Sequence, residues 1–109
     1  MYKYFIEKEI EKLKPELVVL LDKAREIAQT SFIISSGFRT KERNQEVGGV
    51  ENSAHLTGEA VDIYCENSMR RMRIIKALLQ VGFNRIEVAP NHIHCDISKT
   101  LPQDVFILG

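Results

Sequence analysis

Residues 85–97 read RIEVAPNHIHCDI and contain the most informative stretch of the chain. Two short extended runs, at 85–88 and 92–97, flank Pro90 and Asn91, which are residue types that favour tight turns. Successive side chains of a β-strand point to opposite faces. The second strand of the predicted hairpin therefore carries two histidines and an aspartate on one face and apolar side chains on the other.

Helical periodicity dominates two other segments. Apolar residues recur at three- and four-residue spacing between residues 7 and 29, where Pro15 should open the longer helix in its first turn. A later helix should begin after Asn67 or Ser68, which are good capping residues, and end at Gly82. The apolar positions expected on this later helix are Met72, Ile75, Leu78 and Leu79.

The remaining segments are extended or irregular. Strands are expected at 31–35 and 60–65, and residues 105–108 could add an edge strand. Thr40 can cap a short helix that ends at the glycine pair 48–49, where a loop begins. The order of elements predicts an α+β domain, with a small mixed or antiparallel sheet packed with helices.

Composition excludes several classes of protein. The chain has 109 residues, with 15 Lys and Arg against 15 Asp and Glu, so we expect one domain over residues 1–109 and no nucleic-acid partner. The longest apolar run, at 17–21, is far too short to span a bilayer, and the charged first residues do not resemble a signal peptide. We therefore expect no membrane insertion, and we expect a monomer.

The two cysteines are too few for a disulfide scaffold or a four-thiolate zinc site. Cys65 and Cys95 fall on the apolar faces of their strands, where they should be small buried residues. If those strands are neighbours, a disulfide between them is conceivable. Neither cysteine points to the polar face.

That polar face predicts a metal site. His92, His94 and Asp96 share one face of their strand, Asp62 lies on the polar face of strand 60–65, and His55 precedes Asp62 by seven residues. Two histidines and one carboxylate suit zinc and leave a fourth position open to water, as in catalytic sites. The alternative is that these histidines are satisfied polar residues of a sheet, or surface residues.

Residues 53–62, SAHLTGEAVD, resemble the Ser-x-His-x-x-Gly-x-Ala-x-Asp signature of zinc D-Ala-D-Ala carboxypeptidases and related peptidoglycan peptidases. The flanking stretches 36–40 (SGFRT), 44–53 (NQEVGGVENS) and 92–96 (HIHCD) also resemble that peptidase M15-like family. The resemblance implies the fold shared by the DD-peptidases and the hedgehog signalling domain. Because the hedgehog domain shares the fold, the fold alone does not establish activity.

The resemblance also implies roles for individual residues. His55, Asp62 and His94 would bind one zinc ion per chain. Arg39 would bind substrate and stabilise charge on its carbonyl or its terminal carboxylate. Ser53 would hydrogen-bond either the substrate or the loop that presents His55.

Two further residues near the ligands receive supporting roles. Gly58 would allow the tight backbone path between the first two ligands. Asp96 points the same way as His94 and could orient it from behind, although a surface salt bridge is an equal alternative.

The general base departs from the better-known pattern. Many relatives have Glu three residues before the final histidine ligand, but Asn91 stands there in this chain. The remaining candidates are His92, which shares a strand face with His94, and Glu87 on the preceding strand. We favour His92. If His92 were instead a fourth ligand, the site would be closed and inert.

These residues together predict a zinc metallopeptidase that hydrolyses D-Ala-containing bonds of peptidoglycan stem peptides, as a DD-carboxypeptidase or a cross-link endopeptidase. By analogy with phage and prophage lysis enzymes, it would be an endolysin held in the cytoplasm until released to the cell wall. The alternatives are a non-catalytic, metal-stabilised binding module on the same fold, and a dipeptidase or amidase acting on another amide bond.

Overall fold

A computed structural model describes residues 2–107 and shows an α+β fold, as predicted. Its elements in chain order are α1 (Pro15–Ala28), β1 (Ile33–Ser36), α2 (Lys41–Glu46), β2 (Ala60–Tyr64), α3 (Ser68–Val81), β3 (Arg85–Val88), β4 (His92–Asp96) and β5 (Val105–Ile107). A short 3-10 helix, Ala54–Thr57, precedes β2. Within residues 2–107, no helix has the length and apolar character needed to cross a membrane.

The five strands form one mixed sheet in the order β1-β2-β4-β3-β5. All neighbours are antiparallel except β5, which runs parallel to β3 at the edge. The edge strand expected at 105–108 is therefore present over 105–107, while Leu108 lies outside the described residues. The predicted turn at Pro90 and Asn91 closes the β3–β4 hairpin, since the Ala89 N–H donates to the His92 carbonyl over 3.0 Å.

Helices α1 and α3 pack together against one face of the sheet. Leu17 and Leu21 of α1 and Ile74 and Leu78 of α3 are fully buried there. They contact a cluster that includes the strand residues Val61, Ile63, Ile86 and Ile93. Each such side chain contributes about 1.5–3 kcal/mol when it leaves water, so this face holds the fold together and the opposite face is left for a site.

The capping predictions are confirmed. The Thr40 hydroxyl accepts a hydrogen bond from the Arg43 N–H over 3.1 Å at the start of α2. The Asn67 side chain accepts one from the Arg70 N–H over 2.9 Å at the start of α3, and Gly82 ends that helix. Pro15 occupies the first turn of α1, as expected.

The helical prediction for the segment before Pro15 is wrong. Residues 7–12 form turns, and Lys12 has a φ of 61°. Proline forces the preceding residue into an extended conformation, which Lys14 adopts, so a helix cannot continue through this point. The piece that remains before it is too short to be a stable helix on its own.

The predicted core face of α3 is also partly wrong. Met72 and Leu79 are 54% and 48% exposed, whereas Ile74 and Ala77 are buried beside the correctly predicted Leu78. Two overlapping sets of apolar residues in this helix both follow three- and four-residue spacing. Packing against α1 selects one set, and the periodicity alone does not distinguish them.

Both cysteines are buried and free. Cys95 pairs with Val61 in the β2–β4 ladder, while Cys65 lies four residues further along, where its N–H donates to the Asn91 carbonyl. At about 3.3 Å per residue their backbones are roughly 13 Å apart. The disulfide that the sequence left conceivable is therefore not formed, because the register keeps the two sulfurs apart.

Candidate metal centre

The sheet face without helices brings His55, Asp62 and His94 together. Asp62 on β2 and His94 on β4 are direct cross-strand partners, and one potential ligand atom from each of the three side chains lies within 4.8 Å of the others. Asp62 Oδ1 is 2.9 Å from His94 Nδ1 and 3.2 Å from His55 Nε2. All three residues are buried, so the residues named from the sequence form one buried cluster of potential metal ligands.

His55 reaches this cluster from the 3-10 helix. Ser53 caps that helix by accepting a hydrogen bond from the His55 N–H over 3.2 Å, which is the loop-holding contact anticipated for Ser53. Gly58 then reverses the chain with a φ of +74°, and a Cβ added there would lie 2.4 Å from the Lys12 carbonyl oxygen. Both its backbone angle and its surroundings therefore require glycine.

The outer nitrogen of each histidine has a partner that can only accept. His55 Nδ1 lies 2.7 Å from the Gly37 carbonyl oxygen, and His94 Nε2 lies 2.7 Å from Asp96 Oδ2. Both outer nitrogens must therefore carry a proton to form these hydrogen bonds. This arrangement directs His55 Nε2 and His94 Nδ1 inward as the atoms that can bind a metal.

Asp96 lies in a buried ion pair with Arg85. Its side chain is completely buried, and Asp96 Oδ2 accepts from Arg85 Nε over 2.9 Å. Asp96 Oδ1 accepts from the Ser98 N–H over 3.1 Å. The surface salt bridge considered for Asp96 is therefore not observed; its carboxylate instead links His94 to a buried guanidinium.

Burial and neighbouring charged groups shift the pKa values of two proposed ligands in opposite directions. Burial by itself would raise the pKa of Asp62, but hydrogen bonds with His55 and His94 hold it well below its ordinary value of 3.8. Burial likewise lowers the pKa of His94, but hydrogen bonds with Asp62 and Asp96 raise it from 6.5 to about 9. The metal-free cluster therefore pairs an ionised carboxylate with a protonated imidazole at neutral pH.

Arg39 lies beside the cluster, where the sequence placed it. Its Nη2 donates to Asp62 Oδ2 over 3.3 Å, its Nε to Ser36 Oγ over 3.2 Å and its Nη1 to Asn44 Oδ1 over 3.2 Å. A guanidinium carries five N–H groups, and hydrogen bonds within residues 2–107 engage three of them. The side chain is 16% exposed, so its remaining donors can meet a ligand.

The two candidate bases line the same cleft, which has a volume of about 470 Å³. Glu87 is the cross-strand neighbour of His94, and its Oε1 accepts from Arg85 Nη2 over 3.2 Å. His92 is half-buried and its Nδ1 lies 3.3 Å from Asn91 Oδ1. His92 is not among the three side chains whose ligand atoms meet within 4.8 Å.

Three groups of this site were missed from the sequence. The Gly37 carbonyl oxygen belongs to the backbone, so no side chain in the sequence indicated its contact with His55. Asn44 lay inside a quoted motif but received no role. Arg85 could have been found, because a tight turn at Pro90 and Asn91 places it opposite Asp96 across the hairpin.

Comparisons with known proteins identify a family and a similar fold. The sequence profile of a family described as Peptidase M15 matches residues 4–96. The structure is similar to the crystal structure of Serratia marcescens L-Ala D-Glu endopeptidase ChiX, with a TM-score of 0.62 and 21% sequence identity, over 84% of this chain and 85% of that chain. No curated protein matches this sequence.

Proposed function

Since the chain belongs to the peptidase M15 family, we propose that it is a zinc-dependent peptidase that hydrolyses stem peptides of peptidoglycan. The observation that carries this proposal is the meeting of His55, Asp62 and His94 beside Arg39 in one cleft. The same cleft is lined by Arg39 and by a candidate proton acceptor, His92, and this combination favours catalysis over a binding module.

The three proposed ligand side chains suit zinc. Two imidazoles and one carboxylate are ligands that zinc commonly takes in catalytic sites, where three protein ligands leave a position open. His55, Asp62 and His94 would hold the ion, with Gly37 and Asp96 fixing the two rings from behind. When bound, zinc supplies a Lewis acid that acidifies water and polarises the scissile carbonyl.

Arg39 is proposed to bind the oxygen that becomes negative during the reaction. Its contacts with Ser36, Asn44 and Asp62 hold the guanidinium in place before substrate arrives. A donor that is already oriented stabilises developing charge without reorganisation. The same unused N–H groups could bind a terminal carboxylate in a carboxypeptidase reaction.

His92 is proposed as the general base. Imidazole is the side chain whose ordinary titration lies closest to neutral pH, which suits a group that accepts a proton from water and passes it to the leaving amine. Glu87 lies in the same cleft, but its carboxylate is paired with Arg85. That ion pair favours a positioning role for Glu87.

The proposed scissile bond contains D-Ala, either at the D-Ala-D-Ala terminus or at the D-Ala cross-link between two stems. The similarity to an L-Ala D-Glu endopeptidase favours a second candidate, the L-Ala–D-Glu bond of the same stem peptide. Both candidate bonds belong to peptidoglycan stem peptides, and they differ in the position of cleavage.

Product masses from defined muropeptides test the proposal. Zinc-loaded protein should release D-Ala or separate cross-linked stems, while cleavage at L-Ala–D-Glu would yield a product beginning with D-Glu. Chelator should abolish the products, and His92→Ala should strongly slow their release. Zinc-loaded protein that yields no product from either bond would overturn the proposed peptidase activity and leave two alternatives, the binding module and an enzyme acting on another amide bond.

The metal assignment has its own test. Elemental analysis should find about one zinc per chain in the wild-type protein and little in His55→Ala, because three protein ligands are needed to retain the ion. Full zinc content in His55→Ala would contradict the ligand set.

A further inference from the structure

The short helix α2 buries one residue, and that residue is polar. Within the described chain, Asn44 is only 3% exposed, while every other residue of Lys41–Glu46 is exposed. A helix that needed only an anchor could use an apolar side chain. A buried amide is costly unless its groups are paired, so its partners should explain why it is there.

Both ends of the Asn44 amide are paired, and the pairing fixes its orientation. Oδ1 accepts from Arg39 Nη1 over 3.2 Å, and Nδ2 donates to the Val50 carbonyl over 2.8 Å. A guanidinium can only donate and a carbonyl can only accept. The amide therefore cannot be flipped, and it ties Arg39 to the loop that follows α2.

Gly49 provides the space for this contact. Its N–H donates to the Asn44 carbonyl over 2.8 Å. A Cβ added at Gly49 would lie 2.1 Å from Asn44 Oδ1 and 3.2 Å from Arg39 Nη1. Any side chain at this position would therefore push into the hydrogen bond between Asn44 and Arg39.

We propose that Asn44, in the space left by Gly49, is a positioning residue that holds the Arg39 guanidinium over the metal centre. The inference rests on the proposed function, in which Arg39 contacts substrate. Ser36 and Asp62 hold the Nε and Nη2 sides of the guanidinium, and Asn44 holds the Nη1 side. The side-chain stem and these two contacts restrain the Nε and Nη2 sides of the group, and the Asn44 contact restrains the Nη1 side as well.

Asn44→Ala and Gly49→Ala are the variants that remove the contact, and Glu42→Gln on the exposed side of α2 is the matched control. We expect kcat on muropeptides to fall roughly tenfold to a hundredfold in the first two, the range for loss of one hydrogen bond to a charged group. Zinc content should stay at the wild-type level in all three. Asn44→Asp keeps an acceptor for Arg39 and should retain more activity than Asn44→Ala.

A double-mutant cycle separates positioning from general damage to the fold. If Asn44 acts through Arg39, Asn44→Ala should lower kcat by less than about twofold in an Arg39→Ala background, because coupled residues are not additive. An undiminished loss in that background, or wild-type kcat in Asn44→Ala when Arg39→Ala is inactive, would overturn the proposal.

A readout without substrate distinguishes this proposal from the proposed function. In the metal-free protein, the Nη1–H resonances of Arg39, one of which Asn44 accepts, should be slow to exchange with water in the wild type and fast in Asn44→Ala and Gly49→Ala. Unchanged exchange overturns the positioning role. Wild-type protein that cleaves no muropeptide overturns the proposed function, while the exchange measurement still decides whether Asn44 holds Arg39.

Discussion

At the scale of single residues, each proposed metal ligand is held by a partner from a different part of the chain. The Gly37 carbonyl orients His55, Asp96 orients His94, and Arg39 holds the second oxygen of Asp62. A metal therefore meets ligands that are already directed inward, and less conformational freedom is lost on binding. The partners matter to the site nearly as much as the ligands.

The choice of general base can be tested by paired substitutions. His92→Ala should lower kcat/KM by about 10²–10⁴, the range that general base catalysis contributes. Glu87→Gln keeps the shape of the side chain and should cost less than about tenfold. Zinc content measured in both variants controls for loss of the metal. The reverse order of the two effects would identify Glu87 as the base.

The buried Arg85–Asp96 pair supports both stability and metal binding. Arg85→Met leaves Asp96 buried without its guanidinium partner, and we expect a loss of about 3–5 kcal/mol in the free energy of unfolding. Zinc affinity should fall about 10–100-fold, because Asp96 no longer holds His94 firmly. Denaturant unfolding and zinc titration measure the two effects. Arg73→Met, at an exposed position on α3, should change neither.

At the scale of elements, irregular backbone places side chains that regular strands cannot. The pairing of β1 with β2 shifts between Ile34 and Ser36, so that Ser36 lies opposite Asp62. Ser36 thereby reaches Arg39 on the polar face. The turn at Gly58 likewise places a side chain on the polar face. It ends the 3-10 helix that carries His55 and leads the chain into β2. A bulge and a turn together bring β1, the 3-10 helix and β2 to one point.

The turn at Gly58 should therefore be sensitive to substitution. Gly58→Ala combines a positive φ with a contact of 2.4 Å to backbone, and we expect it to lower the free energy of unfolding by about 2–4 kcal/mol. Gly37→Ala is the matched control, since its added Cβ meets Leu13 at an ordinary 3.6 Å. Thermal unfolding of both proteins makes the comparison. Equal melting temperatures would show that the turn at Gly58 relaxes without cost.

At the scale of the whole molecule, the two faces of the sheet differ in character. The helices α1 and α3 cover one face with an apolar core, and the opposite face holds a buried cluster of charged groups beside a cleft. Charges at such a site interact strongly because little water lies between them. The stability of the metal-free protein should therefore depend on the ionisation of this cluster.

The sign of that pH dependence follows from the pKa shifts of His94 and Asp62. The raised pKa of His94 stabilises the fold fully below pH 6.5 and this contribution is lost as pH rises through about 9. The lowered pKa of Asp62 stabilises the fold above about pH 4 and this contribution is lost as pH falls. We expect the melting temperature of metal-free protein to fall by on the order of 10 °C between pH 6 and pH 9.5.

Calorimetry with chelator present measures this fall, and His94→Gln should reduce it. The affinity for zinc should instead rise with pH, because zinc binding requires an unprotonated His94. A metal-free melting temperature that rises toward pH 9.5 would contradict the pairing of His94 with Asp62.

The local pattern of the chain predicted much of this molecule. The alternation in 92–97 and 60–65 assigned His94 and Asp62 to one face and the cysteines to the other. The caps at Thr40 and Asn67 followed from local hydrogen-bonding chemistry. The helix predicted over residues 7–12 was wrong because Pro15 forces Lys14 into an extended conformation and leaves too short a piece before it. The core face of α3 was partly wrong because two sets of apolar residues fit the same helical spacing.

The sequence by itself determined the α+β class, the division of each strand into polar and apolar faces, and the resemblance that named the ligand residues. Two contacts of the site came from the tertiary structure alone: the Gly37 carbonyl behind His55, and Asn44 against Arg39. The physical reason is that alternation and capping depend on neighbours along the chain. Hydrogen bonds across the sheet and to the loops depend instead on strand register, which packing of the whole core selects.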